Sequence, residues 1–214
     1  MKATEKWRAY YAPAGRIRML AGNPALDMAN TLHWRGDALT EFVVDYPSLV
    51  EWSEAAQLIT PDEKMRLSVK AAPAIHAAQD IHAQWLQLRA ALKEWLPSAV
   101  GNEIDRLELE KNAQPAKTIL RMIEAMSEKT PLSSYFSLSL SEGEISLSLP
   151  LLRSANAIWM LINLPPKGII RQCEADRCGG YFIDQSRAKP RRWCSMDSCG
   201  NREKSARHRG VKQG

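Results

Sequence analysis

The feature that most constrains this chain is the placement of its cysteines. All four, Cys173, Cys178, Cys194 and Cys199, lie in the last fifth of 214 residues, and the 172 residues before them contain none. Their spacing is C-x4-C, fifteen residues, C-x4-C. Two cysteine pairs with a spacer of this length are the layout of a four-cysteine zinc site. Zn2+ takes four thiolates tetrahedrally at about 2.3 Å, so each pair must sit on a turn that aims both sulfurs at one point. Gly179 and Gly180 after the first pair, and Gly200 after the second, suit such reversals. Two disulfides are the rival arrangement. No signal-peptide pattern stands in "MKATEKWRAYYAPAGRIRML", and no window of about 18 uncharged apolar residues occurs. The expected compartment is therefore a reducing cytoplasm with no membrane partner, where paired cysteines serve metals. The spacing does not fit a C-x-x-C redox pair. Four cysteines close the coordination shell, so the expected cofactor is one structural Zn2+ per chain.

Charge shifts at the same place. Residues 171–214 contain 11 Lys/Arg and 5 Asp/Glu, whereas residues 1–170 contain 18 and 19, so all of the net charge of +5 comes from the C-terminal piece. A near-neutral body with a basic appendage points to a polyanion as partner. The "NLPPKG" stretch reads as a helix stop or linker. The division expected is 1–168 and 169–214. The fold class is α+β: a mainly helical N-terminal domain with a small antiparallel sheet or β-hairpin, followed by a small four-cysteine zinc module.

Within the body, "RIRML" reads as a short strand, the following Gly-Asn-Pro as a turn, and "ALDMANTL" as a helix. A strand is expected from Thr40 to Asp45. Pro47 suits the first turn of the next helix, and Thr60, Pro61 and Glu63 form the start signal of another. The longest helix, 73–96, carries an apolar stripe of Ile75, Ala78, Ile81, Trp85, Leu88, Leu92 and Leu96. His76 and His82 are six apart and do not share a face as paired ligands would. Two helices follow over "EIDRLELEKNAQ" and "AKTILRMIEAMSE". Tyr135 to Leu149 alternates around Ser-Glu-Gly and predicts a β-hairpin, with Phe136, Leu138 and Leu140 answering Ile145, Leu147 and Leu149. "LLRSANAIWMLINL" closes the body as a helix.

For catalysis the body offers no Gly-rich phosphate loop, no Gly-x-Ser-x-Gly, no His-Glu-x-x-His and no cysteine nucleophile, so an enzyme is not expected. Asp27 and Asn30, three apart on a helix, are a polar pair that would either line a ligand pocket or brace the adjoining turn by side-chain to backbone bonds. The second use is the commoner one for such residues.

The basic residues surround the cysteines. Arg187, Lys189, Arg191 and Arg192 lie in the spacer; Arg202, Lys204, Arg207 and Arg209 follow Cys199 in "NREKSARHR", which reads as a helix from about Asn201. A rigid knuckle with a basic loop and helix is suited to the phosphate backbone of nucleic acid. The segment from Arg171 to Arg209, with "CGGYFIDQSR", "RRWCSM" and "CGNR", resembles the bacterial CGNR zinc-finger module. "GNPALDMANT", the Trp52 helix and the closing hairpin and helix resemble the ABATE-type domain that precedes that module, with Met28 where an aromatic residue is usual. The resemblance covers nearly the whole chain. It implies that Cys173, Cys178, Cys194 and Cys199 are the zinc ligands and that Asp184, Ser186, Arg187, Arg192, Trp193, Asn201 and Arg202 hold signature positions. It also implies a bacterial transcription regulator that binds double-stranded DNA. The body would then sense a small-molecule ligand or form a homodimer. A zinc-stapled RNA- or protein-binding module, and a small-molecule sensor or enzyme centred on Asp27 and Asn30, are the alternatives.

Overall fold

The first three helix starts follow from local capping chemistry. The computed structural model describes residues 19–35, 38–101, 121–122, 145–164, 166–176, 178–187 and 189–211. Helix α1, Pro24–Ala29, opens on Asn23, whose side chain accepts from Ala25 N at 2.9 Å. It stops earlier than the expected Leu32 because Thr31 Oγ1 turns back onto Met28 O at 2.8 Å and Leu32 enters a strand. Strands β1, Leu32–Arg35, and β2, Ala38–Glu41, pair antiparallel with Leu32 opposite Glu41. The strand expected over Thr40 to Asp45 therefore lies earlier. The Glu41 carboxylate accepts from Val43 N, and Asp45 caps helix α2, Tyr46–Ala55, in a reciprocal box with Ser48. Helix α3, Pro61–Ala71, has the expected Thr60–Glu63 capping box.

Helix α4, Ile75–Ala99, buries Ala78, Trp85, Leu88, Leu92 and Leu96. Ile75, placed on the same stripe by periodicity, is 59% exposed at the helix start. Trp95 and Arg89 join the buried face instead. Helix α5, Leu149–Asn163, packs against α1, α2 and α4. Trp85 Nε1 donates to Ser154 Oγ at 2.9 Å, and the edge of Trp52 meets Trp85 with centroids 5.2 Å apart. The first strand of the Tyr135–Leu149 hairpin lies outside the described residues, as do the two helices expected between Pro97 and residue 130 (apart from 121–122) and most of "RIRML". The second strand is not formed over Ile145 to Leu149. Leu149 opens α5 with Pro150 in its first turn, and the carbonyls of Ile145 and Leu147 accept from Lys70 Nζ and Tyr46 Oη, each at 2.8 Å.

A second antiparallel pair follows: β3, Ile169–Gln172, and β4, Tyr181–Asp184, with Ile170 opposite Ile183. Alternation splits β4 between two clusters. Tyr181 and Ile183, with Ile170 of β3, belong to the large core of the helices, whereas Phe182 sits among the cysteines. Gly168 precedes β3 with φ +126, and a Cβ there would lie 2.7 Å from Asp184 O. A tight turn over Met196–Gly200 leads into the last helix, α6, Asn201–Val211.

Among the described residues, Arg89 is the one buried cation of the body core. The Arg89 guanidinium donates to Thr31 Oγ1 at 2.7 Å and to both Glu41 oxygens at 2.7 and 2.5 Å, and it lies 5.3 Å from the Trp85 ring centroid. This ties α4 to β2. Removing one member of such a pair leaves the other uncompensated. Arg89→Ala is expected to destabilise the protein by about 3 kcal/mol. An Arg89→Met, Glu41→Leu double variant should cost less than the sum of the two singles. Urea unfolding of the four proteins checks both expectations.

Candidate metal centre and basic surface

The two cysteine pairs are delivered by different devices. Cys173 directly follows β3, and its N–H donates to Gly180 O at 2.8 Å, closing the hairpin around the first knuckle. Within the knuckle Cys178 N donates to Ala175 O at 3.1 Å, and Gly179 then takes φ +66, a conformation that disfavours a side chain. The second pair sits on the Met196–Gly200 turn. Gly200 leaves little spare room: a Cβ would come within 3.3 Å of Trp193 and within 2.8 Å of Sδ in the flexible, exposed Met196 side chain.

The four sulfurs all lie within 4.8 Å of one another and are buried. A tetrahedron with metal–sulfur bonds of about 2.3 Å has edges of about 3.8 Å. The Cys178–Cys194 and Cys194–Cys199 separations are 3.8 and 3.6 Å, so the cage fits the ion. Its outer contacts are donors. Cys194 N points at Cys173 Sγ at 3.3 Å, and the Arg202 guanidinium lies 3.6 Å from Cys199 Sγ. Such contacts offset the charge of four thiolates on one dication. Hydrogen bonds from Cys173, Cys178 and Cys194 hold the Cys199 thiol far below its ordinary range, with Arg202 adding to the effect. Those from Cys178 and then Cys194 bring Cys173 down to about 7.

Four thiolates with no position left open for water or substrate define a structural zinc finger, built on a hairpin, a tight turn and a helix. Residues 170–210 match the CGNR zinc finger family. No curated protein matches the chain. The cage holds one structural Zn2+ through Cys173, Cys178, Cys194 and Cys199.

The basic residues around the cage divide into two groups. Arg191 is exposed but engaged with the finger: its guanidinium lies 4.7 Å from the Phe182 centroid and donates to Cys194 O at 2.8 Å. Arg192 pairs with Glu174 at 2.6 Å and covers Trp193. Arg202 donates to Asp176 O at 3.0 Å as well as facing Cys199. Arg187, Lys189 and Lys204 are exposed, and their side chains have no protein partner among the described residues. Arg207 and Arg209 lie on α6, with side chains outside the described set.

Asp184 shapes the loop that carries Arg187 and Lys189. One oxygen accepts from Ser186 N at 3.1 Å and from Ser186 Oγ; the other accepts from Arg171 Nε and Arg191 N, both at 2.9 Å. Burial alone would raise its pKa, but the Ser186, Arg191 and Arg171 donors outweigh it and hold the carboxyl at about 2. The Ser186 hydroxyl also lies 2.8 Å from Lys189 O, and its single proton is shared between that carbonyl and the Asp184 oxygen, closing the loop.

Asp27 and Asn30 both act on backbone. Asp27 Oδ1 accepts from Leu20 N and Ala21 N, each at 3.0 Å. Asn30 reaches 151 positions along the chain: Oδ1 accepts from Tyr181 N and Nδ2 donates to Tyr181 O, both at 2.8 Å. The side-chain amide thus completes the free edge of β4, and Ile183 N donates to Ala21 O at 2.9 Å beside it. His82 contacts Val43 O at 2.9 Å, and His76 is exposed. Sequence reading missed Arg89, Glu41 and the Asn30–Tyr181 clamp. The Asx pair after a Gly-Asn-Pro turn marked the position but not the distant strand it serves.

Protein purified without added metal is expected to carry one zinc per chain by elemental analysis. Any single Cys→Ser change at the four positions should lose it to a mild chelator. Asp27 offers a separate test. Burial pushes its carboxyl up to about 6 from 3.8, against the two backbone donors. The folded state then binds the proton more tightly than the unfolded chain, so the contribution of Asp27 to stability falls as pH rises from about 4 to 6. The total change is about 3 kcal/mol. Asp27→Asn keeps the acceptor and removes the charge. Relative to wild type it should gain stability across that pH window, whereas Asp27→Ala should lose about 1–3 kcal/mol by orphaning both donors. Parallel urea titrations at several pH values read both.

Proposed function

We propose that the chain binds nucleic acid through the basic side of its zinc finger. In this reading it is a cytoplasmic DNA-binding transcription regulator and not an enzyme. The helical body, of ABATE type, senses a small molecule or forms a homodimer. The observation that carries this reading is the Asp184-closed loop, which holds Arg187 and Lys189 in water with no protein partner among the described residues. Lys204 on α6 is exposed as well, with no partner for its side chain among the described residues. Cations fixed on a rigid frame suit phosphate oxygens, and each neutralised phosphate releases counterions.

The described aromatic residues of the finger favour a duplex over a single strand. Tyr181 and Phe182 are buried, and Trp193 is half-buried beneath Arg192. Binding of unpaired bases relies on open aromatic platforms, whereas backbone contact to a duplex does not. The placement of Asp27 and Asn30 on backbone partners supports a bracing use of that pair over a ligand pocket.

Affinity for duplex DNA, followed by fluorescence anisotropy from 50 to 200 mM salt, should fall linearly on a log–log plot, with a slope near 0.9 per phosphate contact. An Arg187→Ala, Lys189→Ala double variant should weaken all sequences alike and shallow the slope by about 2, with zinc content unchanged. Arg191→Ala should behave differently and release zinc more readily, because it braces Phe182 and Cys194. No binding to any duplex at 50 mM salt would sink the proposal, and tighter binding to structured RNA or to an acidic protein would move it to that partner.

A further inference from the structure

We infer that the zinc ion is a latch for one segment, Cys194–Val211, and not a staple for the whole protein. Loss of the metal would release the turn and α6 together while β3, β4 and the helical body stay in place.

The inference rests on what holds each part. Ile170, Tyr181 and Ile183 anchor the hairpin in the large core, and none of the described residues after Ile183 contributes to that core. The hairpin has polar anchors on the body as well. Asn30 clamps Tyr181, Ala21 O accepts from Ile183 N, and Gly101 N donates to Ile170 O at 2.9 Å. None of these contacts involves a cysteine. Arg191 is tied to the end of β4 through Asp184 Oδ2 and Phe182, also without the metal.

The segment from Cys194 onward is held otherwise. Among the described residues its buried side chains are Cys194 and Cys199, in a small cluster whose other members are Cys173, Cys178, Ala175 and Phe182, with Trp193 packed against it. Metal bonds through those two cysteines are therefore its main attachment. The other described contacts of the segment include Cys194 N, which donates to Cys173 Sγ within the cage, and polar ones at the surface: Glu203 accepts from Asp176 N at 2.9 Å, Arg202 donates to Asp176 O, and Arg191 donates to Cys194 O. Surface contacts of this kind are weak on their own. Helix α6 has 11 residues, short of the length at which isolated helices hold in water. Without zinc, the four close thiols lose the ion that joins the two pairs, and the helix loses its anchor.

The consequence is a metal-gated display of the basic C-terminal helix. It does not depend on which polyanion that helix meets.

Hydrogen exchange on the full chain, read by mass spectrometry, tests it. Zinc is removed with a chelator under thiol reductant. Amides of residues 196–211 should then exchange at least tenfold faster, while those of β3, β4 and the core of α4 keep their zinc-bound rates. A Cys194→Ser, Cys199→Ser variant should reproduce the pattern with no chelator present. Equal loss of protection in β4 or α4, or precipitation of both the stripped protein and the variant, would show a global staple and overturn the inference. Unchanged protection across α6 would overturn it in the other direction.

Discussion

Strand β4 is buried on both faces, and the rest of the structure is arranged around that fact. Four residues, Tyr181–Asp184, supply Tyr181 and Ile183 to the helical core and Phe182 to the zinc cluster, and Asp184 organises the basic loop. A strand in this position must have its backbone groups satisfied on both edges. β3 supplies one edge. Asn30 and Ala21 supply the other, and they are themselves fixed by helix α1: Asn30 caps its end, and Asp27 holds Ala21 N. The short helix near the start of the described chain thus sets the position of the zinc finger more than 150 residues later.

The same logic explains why counting basic residues overstates the surface available to a partner. Arg171, Arg191, Arg192 and Arg202 are engaged with Asp184, Cys194 O, Glu174 and Asp176 O. They stabilise the knuckles and offset thiolate charge, work for which the planar, always charged guanidinium is well suited. Among the described residues, the cations left free are displayed by two supports of different strength. Arg187 and Lys189 stand on a loop closed by a carboxylate accepting four hydrogen bonds, and Lys204 stands on a helix anchored by the metal cage.

How much was legible in the sequence depended on the range of the interaction. Cysteine spacing specified the zinc site, because metal geometry restricts which spacings work. The Thr60–Glu63 box and Pro47 marked helix starts, because capping is settled within four residues. Periodicity found the Trp85, Leu88, Leu92 stripe but put Ile75 on it, since a pattern does not know where the neighbouring elements end. It could not show Arg89 on the buried face, because a buried cation is readable only with its partner, and Glu41 lies 48 positions away. Leu149 fitted an alternating strand equally well until Pro150 and the carbonyl partners Lys70 and Tyr46 fixed it as a helix start. Composition changes near residue 170, but the core does not, since Ile170, Tyr181 and Ile183 continue the body's own apolar cluster.

This continuity bears on why a metal is needed at all. The zinc-side cluster has Phe182 fully buried, Ala175, a partly covered Trp193 and the cysteines themselves. That is too little apolar surface to offset the backbone entropy lost in ordering the eighteen residues from Cys194 to Val211. Structural zinc contributes folding free energy outright in small metal-dependent domains. The hairpin half has no such need, because the helical core already holds it. The cage therefore joins one pair of ligands fixed by packing to another pair fixed by coordination, and the metal's free energy goes mainly into holding the second.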